Sequence, residues 1–357
     1  MHKISTSLLE WYDEHHRDLP WRLSPKAQAS GQKPDPYRVW LSEIMLQQTV
    51  VTTVQPYFKK FLTFWPNIET LAHATQEEIL AAWAGLGYYA RGRNLKTCAQ
   101  QILNLYGGQF PQDVDTLKTL PGIGDYTAAA IAAIAFDKPV AVVDANVERV
   151  ISRLFAITTP LPKAKAEIRF YCQSITPQKR PGDFSQAMMD LGAKICTPKK
   201  PRCSLCPLQK FCRVGPQSAH QAQPENFPAR APKKPRPTYQ GAAFILLNEK
   251  SNIYLEKRHE KGLLGGMTQI PNHFGPTYLA NHQSDMVHAP LIAQWRFVGT
   301  VQHVFTHFSL HLNVYKTEIM QTQIGNGWWC AQNALAQEAL PSLMKKAIKV
   351  GLPEAFN

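Results

Sequence analysis

The spacing of apolar residues changes once along the chain, and this change limits the possible folds more than any other feature. In the first part, stretches such as "DPYRVWLSEIMLQQTVVTTVQPYF" and "TQEEILAAWAGL" repeat apolar residues every three or four positions, which predicts helices. Later, "GAAFILLN" and "NIYLEKR" predict strands around a turn, and "FSLHLNVYK" alternates strictly. One face of that last strand carries Phe308, Leu310, Leu312 and Val314. A final helical pattern, "ALPSLMKKAIKV", completes a predicted α+β part.

Between the two patterns lies "GPQSAHQAQPENFPARAPKKPRPT", a stretch with many prolines and few apolar residues. Such a composition is typical of an extended linker. We therefore predict a helical domain over residues 1–212, a linker over 213–238 and a smaller α+β domain over 239–357. A chain of 357 residues is long enough for two domains that each bury a core.

The charge balance indicates a polyanionic partner. The chain has 39 Lys and Arg against 26 Asp and Glu, a formal net charge of +13, which favours nucleic acid, although a protein that is merely basic would show the same balance. No apolar run reaches the roughly 18 residues of a membrane span, and the start lacks the apolar core of a secretory signal. We expect an intracellular protein, in the cytoplasm or nucleoid if bacterial, without a membrane partner.

Four of the seven cysteines fall within "CTPKKPRCSLCPLQKFC". In a reducing compartment, thiols this close are metal ligands more often than disulfides. Zinc sites usually combine two CxxC pairs, whereas this compact loop has only one, which favours a four-iron four-sulfur cluster. Spacing alone leaves both metals open. The candidate ligands are Cys196, Cys203, Cys206 and Cys212.

The stretch "TLPGIGDYTAAAIA", residues 119–132, predicts two helices joined by a tight turn. Gly122 and Gly124 would let another molecule approach the backbone, and the second helix offers its positive N-terminal end to an anion. In a basic chain the natural anion is a nucleic-acid phosphate. An ordinary connection between two helices is equally compatible with this motif alone.

Together, "LPGIGDYTAAAIA", "VVDANVERV" and the four-cysteine loop resemble the helix-hairpin-helix DNA glycosylases that carry an iron–sulfur loop. The resemblance covers essentially the whole helical region. "LPWR", "VWLSEIMLQQT", "GLGYYARGRNL", "QAMMDLGAKIC" and "VFTHFSL" are most similar to the MutY family of adenine DNA glycosylases. The resemblance implies a two-lobed glycosylase domain with one 4Fe-4S cluster, followed by a Nudix-like domain. It also implies removal of adenine mispaired with 8-oxoguanine or guanine in double-stranded DNA, and we expect a monomer.

Two carboxylates carry the expected chemistry of N-glycosidic bond cleavage, which needs a proton donor and a negative charge beside the developing cation. Glu43 lies in a predicted helix among apolar residues, which would raise its pKa as an acid requires; a solvated Glu on a helix face is the commoner alternative. Asp144 precedes a predicted helix and is expected to cap it. The resemblance implies that Glu43 is the acid, that Asp144 stabilises the cation, and that Asn146 helps to hold the water.

Tyr126 stands where the related endonuclease III glycosylases have a lysine that forms a Schiff base. Because a phenol cannot form that imine, the sequence predicts a monofunctional glycosylase with Tyr126 near the reacting sugar. A plain helix aromatic is the alternative reading of this residue. Two other functions stay open at this point: a bifunctional glycosylase and lyase, and a non-catalytic DNA-binding iron–sulfur protein.

"GLGYYARGRNL" interleaves aromatic residues with arginines, as suits a wedge that enters a base stack, although a plain helix–helix turn is possible. The resemblance implies that Tyr88 and Gln48 are inserted into the DNA. It places five further residues around the adenine: Trp21, Arg22, Leu46, Gln186 and Met189.

The Nudix-like likeness invites a rival prediction of pyrophosphate hydrolysis, which needs a Glu-rich, metal-holding helix. Residues 261–317 contain no Glu and only Asp285, so we expect no such activity. His303, His307 and His311 are interpreted as the start of an alternating strand and not as a metal site. The loop residues Phe305, Thr306 and His307 are expected to recognise the base opposite the adenine.

Some positions depart from the family pattern. Ala145 replaces a usual Gly, Leu264 a common Trp, and Thr306 a usual Ser that it matches in its hydroxyl. "SPKAQASGQKPD" is interpreted as an insertion after Arg22.

Overall fold

The computed structural model of the chain describes residues 2–216, 223–231, 235–259, 262–278, 281–320 and 324–356. Most of the described α-helices lie in the first two thirds of the chain, and the strands follow them. The helices are α1 (His2–His15), α2 (Pro25–Ala29), α3 (Pro36–Leu46), α4 (Val51–Phe64), α5 (Ile68–His73), α6 (Gln76–Trp83), α7 (Ala90–Tyr106), α8 (Val114–Lys118), α9 (Asp125–Phe136), α10 (Ala145–Phe155), α11 (Lys165–Ile175), α12 (Pro181–Lys194), α13 (His282–Val287) and α14 (Ser342–Gly351).

The strands form one mixed sheet with the order β3-β2-β1-β6-β5, in which β4 also pairs with β1 and β7 with β2. Strand β1 runs parallel to β6 over its whole length, and the other pairs are antiparallel. The strands are β1 (Thr238–Leu247), β2 (Ile253–Lys257), β3 (Thr268–Gln269), β4 (Asn272–Gly275), β5 (Arg296–Val304), β6 (Ser309–Glu318) and β7 (Trp328–Cys330). The expected fold class, a mainly helical part followed by a smaller α+β part, is confirmed.

Contacts group the chain into two compact units. The first unit comprises Met1–His73 and Thr97–Lys233, and the second comprises Ala74–Lys96 and Lys234–Asn357. Of the stretch over 213–238, the described residues 223–231 belong to the first unit, where Arg153 Nε donates to the carbonyl groups of Pro224 and Phe227. Among the described helices, none has the length and apolar character needed to cross a bilayer.

Helix α9 is the centre of the first unit. It is apolar on all sides, and every residue from Thr127 to Ile134 is buried, as expected for a helix surrounded by other helices. Helices α3, α8 and α12 pack against it. This packing brings residues from three distant parts of the sequence to the N-terminal end of α9, where Tyr126 lies.

The second unit buries one face of its sheet under α14. Leu310, Leu312 and Val314 of β6 are fully buried in that core, and Phe308 packs against it, so the predicted strand and its buried face are confirmed. The expected place of His303 is corrected, because it lies near the end of β5 opposite Leu310. His307 lies in the turn that joins the two strands.

Candidate active site

A cleft of about 710 Å³ opens in the first unit between the ends of α3, α9, α10 and α12. Nine residues expected at the catalytic centre or around the adenine line this one cleft together with Gln48, which was expected to enter the DNA, although these ten come from five separate parts of the sequence. They are Trp21, Arg22, Glu43, Leu46, Gln48, Tyr126, Asp144, Asn146, Gln186 and Met189.

Glu43 lies on α3 with only 6% of its surface exposed. The pKa of its carboxyl group is raised to about 7, mainly by burial; the hydrogen bond from Tyr126 lowers the pKa, the nearby Asp144 raises it and the charge of Arg22 lowers it. This agrees with the direction expected from its apolar neighbours. A carboxyl group with this pKa is partly protonated at neutral pH, so it can donate a proton.

The hydroxyl group of Tyr126 donates a hydrogen bond of 2.8 Å to Glu43 Oε2. Tyr126 is the second residue of α9, which begins after the turn that contains Gly122 and Gly124. This contact explains why Tyr126 stands in the first turn of α9, because that position brings its phenol to the buried carboxyl group of Glu43. Residues 83 positions apart in sequence form this pair.

Asp144 caps the N-terminus of α10, as expected. Its Oδ1 accepts from the backbone N–H of Val147 at 2.7 Å, and its Oδ2 accepts from Asn146 Nδ2 at 2.8 Å. Both carboxylate oxygens are therefore held in place. A fixed carboxylate is suited to stabilising a positive charge that develops in the cleft, because it need not reorganise.

Arg149 connects Asn146, the hydrogen-bond partner of Asp144, to the cysteine loop. Arg149 was not identified as a functional residue from the sequence. Its Nη2 donates to Asn146 Oδ1 at 2.9 Å and to the carbonyl of Gly192 at 2.7 Å, while its Nε donates to the carbonyl of Cys196 at 2.7 Å. Gly192 also allows α12 to approach α10, because a Cβ there would lie 2.6 Å from the Cβ of Asn146. An arginine five residues after a cap, on a buried helix face, is the only sequence signal for this role.

Asp190 was also missed. It is fully buried on α12 and accepts from Arg22 Nη1 at 2.8 Å and from Arg17 Nε. These ion pairs fix Arg22 in the wall of the cleft. The sequence signal for these ion pairs is an Asp among the apolar residues of "QAMMDLGAKIC", since a buried carboxylate needs cationic partners.

The four candidate cysteine ligands line one small cavity together with Arg153. All four thiols are free, and Arg153 Nη1 donates to Cys196 Sγ at 3.3 Å. Four thiols that line one cavity, with a guanidinium group beside them, fit an anionic iron–sulfur cluster in their chemistry, since thiolates are its normal ligands.

The remaining expected residues lie elsewhere. Gly122 has a left-handed backbone with φ of 81°, which favours glycine, and no heavy atom of the described residues lies within 4 Å of where a Cβ of Gly124 would stand. Tyr88, Thr306 and their neighbours belong to the second unit, where the two hydroxyl groups are hydrogen bonded at 2.7 Å. Phe305 and His307 lie on either side of Thr306, in the turn between β5 and β6.

The helical part of the chain has the fold of a base-excising DNA glycosylase. It matches the family model described as HhH-GPD superfamily base excision DNA repair protein over residues 41–178. Residues 196–212 match the iron-sulfur binding domain of endonuclease III, and residues 242–350 match the NUDIX domain. The solved structure of a thermostable thymine-DNA glycosylase aligns with 59% of this chain at 31% identity. The alignment covers 95% of that protein and gives a TM-score of 0.51.

The adenine DNA glycosylase of Mus musculus is 34% identical over 97% of this chain and 77% of its own length. That of Homo sapiens is 34% identical over 96% of this chain and 73% of its own length. That of Mycolicibacterium smegmatis is 42% identical over 58% of this chain and 67% of its own length. The chain belongs to the adenine DNA glycosylase family, and it is an enzyme that hydrolyses an N-glycosidic bond in DNA.

Membership also decides between zinc and an iron–sulfur cluster. The match over residues 196–212 begins and ends on cysteines of the loop, and the four thiols that line the cavity would hold a cluster of the 4Fe-4S type. Bound there, the cluster would tie the loop to α10 through the cysteines, Arg149 and Arg153.

Proposed function

We propose that this chain removes adenine from double-stranded DNA where adenine faces 8-oxoguanine or guanine. Glu43 acts as the general acid for the departing base, and Asp144 stabilises the cationic sugar. The observation that carries the proposal is the contrast between two carboxyl groups in one cleft. Burial raises the pKa of Glu43 to about 7, whereas each carboxylate oxygen of Asp144 is held by a hydrogen-bond donor.

Asn146 and Tyr126 support these roles. Asn146 donates to Asp144 at 2.8 Å and lines the same cleft, which supports a role for its amide in holding the attacking water. Tyr126 holds the Glu43 carboxyl group in a fixed orientation. Of the described residues that line the cleft, none is a lysine, so no amine is available there for a Schiff base. We therefore infer a monofunctional glycosylase. One chain supplies every group used in these steps, which supports action as a monomer. Its substrate is DNA, which supports action inside the cell.

The side chains around the adenine are divided by chemistry. Trp21, Leu46 and Met189 give apolar surface against a base, whereas Arg22 and Gln186 offer hydrogen bonds to its edge. At the turn that joins α8 and α9, the N–H groups beside Gly122 and Gly124 suit a phosphate. Gln48, two residues after the end of α3, lines the cleft and has φ of 58°, which suits a residue that is inserted into DNA.

The pH dependence of adenine release follows from Glu43, which must hold its proton. We expect kcat/KM to fall about tenfold for each pH unit above a pKa of about 7. The hydrogen bond from Tyr126 lowers that pKa, so Tyr126→Phe should move the basic limb of the profile to higher pH. Rate measurements between pH 5.5 and 9 on both proteins test this. A limb that moves to lower pH in Tyr126→Phe contradicts the assignment of Glu43 as the acid.

The turn formed by Phe305, Thr306 and His307 is proposed to read the opposite base. Phe305 is anchored, because its N–H donates to the carbonyl of Phe308 at 2.9 Å and its ring packs against Phe308. Thr306 and His307 are exposed, so a hydroxyl group and an imidazole are presented by a fixed turn. Both can donate and accept hydrogen bonds, as recognition of an oxidised purine requires.

The test uses wild type, Thr306→Ala and His307→Ala on duplexes with adenine opposite 8-oxoguanine, guanine or thymine, each with and without alkali. We expect strand breaks only after alkali, and a preference for 8-oxoguanine that falls about fivefold in each variant, as for one lost hydrogen bond. Thr300→Ala, an exposed threonine on β5 outside the turn, is the matched control. Breaks without alkali would indicate a lyase, and an unchanged preference in both variants would remove the turn from recognition.

A further inference from the structure

The loop between α6 and α7, residues 84–89, has an unusual backbone. Gly85, Gly87 and Tyr88 all have positive φ, with values of 110°, 69° and 48°. Glycine accepts this conformation at little cost, but a tyrosine does not. The Tyr88 side chain is also 48% exposed. A strained, exposed aromatic residue persists only where its surroundings hold it.

Arg91, in the first turn of α7, supplies much of that support. Its Nη2 donates to the carbonyl of Leu86 at 3.0 Å and to that of Gly87 at 3.2 Å. The Gly87 carbonyl also accepts from Trp83 Nε1 at 3.1 Å. The backbone N–H of Arg91 donates to the carbonyl of Tyr88 at 2.8 Å. Three consecutive loop carbonyls are therefore bonded to this one residue.

The guanidinium group also contacts two ring faces. Its central carbon lies 5.2 Å from the ring centre of Trp83 and 5.5 Å from that of Tyr88, within the range of cation–π attraction. A planar guanidinium can stack and donate at the same time, which an ammonium group cannot do. Arg91 thus fixes both the backbone of the loop and the aromatic ring that the loop presents.

The burial of Arg91 distinguishes it from an arginine that binds a DNA phosphate. Only 8% of its surface is exposed, whereas an arginine that binds a DNA backbone must present its guanidinium group to solvent. The contacts given above are directed to carbonyl oxygens and ring faces of its own segment. The role that fits this placement is support of the loop.

We propose that Arg91 is a positioning residue that holds Tyr88 as a rigid wedge for the extrusion of adenine from the duplex, an inference that rests on the proposed function. Extruding a base leaves a gap in the stack, and a side chain must fill it. A wedge held in its working conformation before DNA binds loses little conformational freedom on insertion. Arg91 therefore acts on extrusion of the base and not on cleavage of its glycosidic bond.

The test compares adenine facing guanine with adenine facing a tetrahydrofuran abasic analogue, where no base pair needs to be opened. Full-length Arg91→Lys should lose roughly tenfold in single-turnover rate on the first duplex and less than about threefold on the second. In a Tyr88→Ala background, Arg91→Lys should add no further loss on either duplex, because it acts through the ring. Trp83→Phe, which keeps an aromatic face but loses the bond to the Gly87 carbonyl, should show the same pattern with a smaller loss.

Arg93→Lys is the matched control, since Arg93 lies on the same helix and donates instead to the carbonyl of Gly265. It should not distinguish the two duplexes. Equal losses on both duplexes in the Arg91 and Trp83 variants, or additive losses with Tyr88→Ala, would overturn the proposal. Failure of the proposed recognition function would appear separately, as wild type that does not distinguish 8-oxoguanine, guanine and thymine opposite adenine.

Discussion

Glu43→Gln is expected to lower adenine release by about 10²- to 10⁴-fold, the usual contribution of a general acid. A neutral amide cannot transfer a proton to the departing base, but it has nearly the same shape as the carboxylic acid. Its oxygen can still accept the hydrogen bond from Tyr126 that Glu43 accepts at 2.8 Å. The fold and the affinity for DNA should therefore be preserved.

Single-turnover rates on a duplex with adenine opposite 8-oxoguanine measure the loss, and fluorescence anisotropy with the same duplex measures affinity. Glu148→Gln is the matched control, because Glu148 is a half-buried Glu of the same unit that pairs with Lys165 at 3.8 Å outside the cleft. Adenine release by Glu43→Gln within a few-fold of wild type would refute the assignment. So would an equal loss in the control.

Asp144→Asn should lower the rate by about 10²- to 10³-fold, as when one preorganised electrostatic partner is removed. The reason is the loss of negative charge beside the sugar. Asparagine caps a helix about as well as aspartate does, so the bond to the backbone of Val147 remains possible. We expect the thermal midpoint of unfolding to change little.

The experiment is specific because Asp144→Asn removes the negative charge but keeps the capping hydrogen bond. Asp113→Asn is the matched control, because Asp113 caps α8 in the same way, accepting from Thr116 at 2.8 Å. Its effect on rate and on thermal stability should be small. If Asp144→Asn keeps near-normal activity, or loses activity only in proportion to lost folded protein, Asp144 is a structural cap and not a catalytic group.

The sequence was informative wherever a local rule applied. Strict alternation placed Leu310, Leu312 and Val314 on a buried strand face, and that face is the core of the second unit. A short polar residue directly before a predicted helix marked Asp144 as a cap, since only a local hydrogen bond is needed to satisfy the first turn. The motifs were also sufficient to identify the family, because their order and spacing can be read directly from the sequence.

Tertiary structure decided the contacts between distant residues. Glu43 and Tyr126 form a hydrogen bond across 83 positions, and Arg22 meets Asp190 across 168. Nothing in the spacing of either pair specifies that contact, because it depends on how α3, α9 and α12 pack. The acidity of Glu43 depends on the same packing, since burial raises its pKa.

The same distinction explains which residues were missed. Arg149 and Gly192 act through backbone carbonyls and a close helix contact, which leave no pattern of side-chain chemistry in the sequence. Arg91 is visible in the sequence as one arginine of "GLGYYARGRNL", but its bonds to the loop carbonyls are not. Likewise, the prolines over 213–238 indicate a change of local structure. Only the contacts show that Ala74–Lys96 belongs to the same compact unit as the C-terminal residues. Sequence determined the elements and the chemistry that this chain has available; packing determined which groups meet, because the free energy of those contacts is gained only when distant segments are brought together.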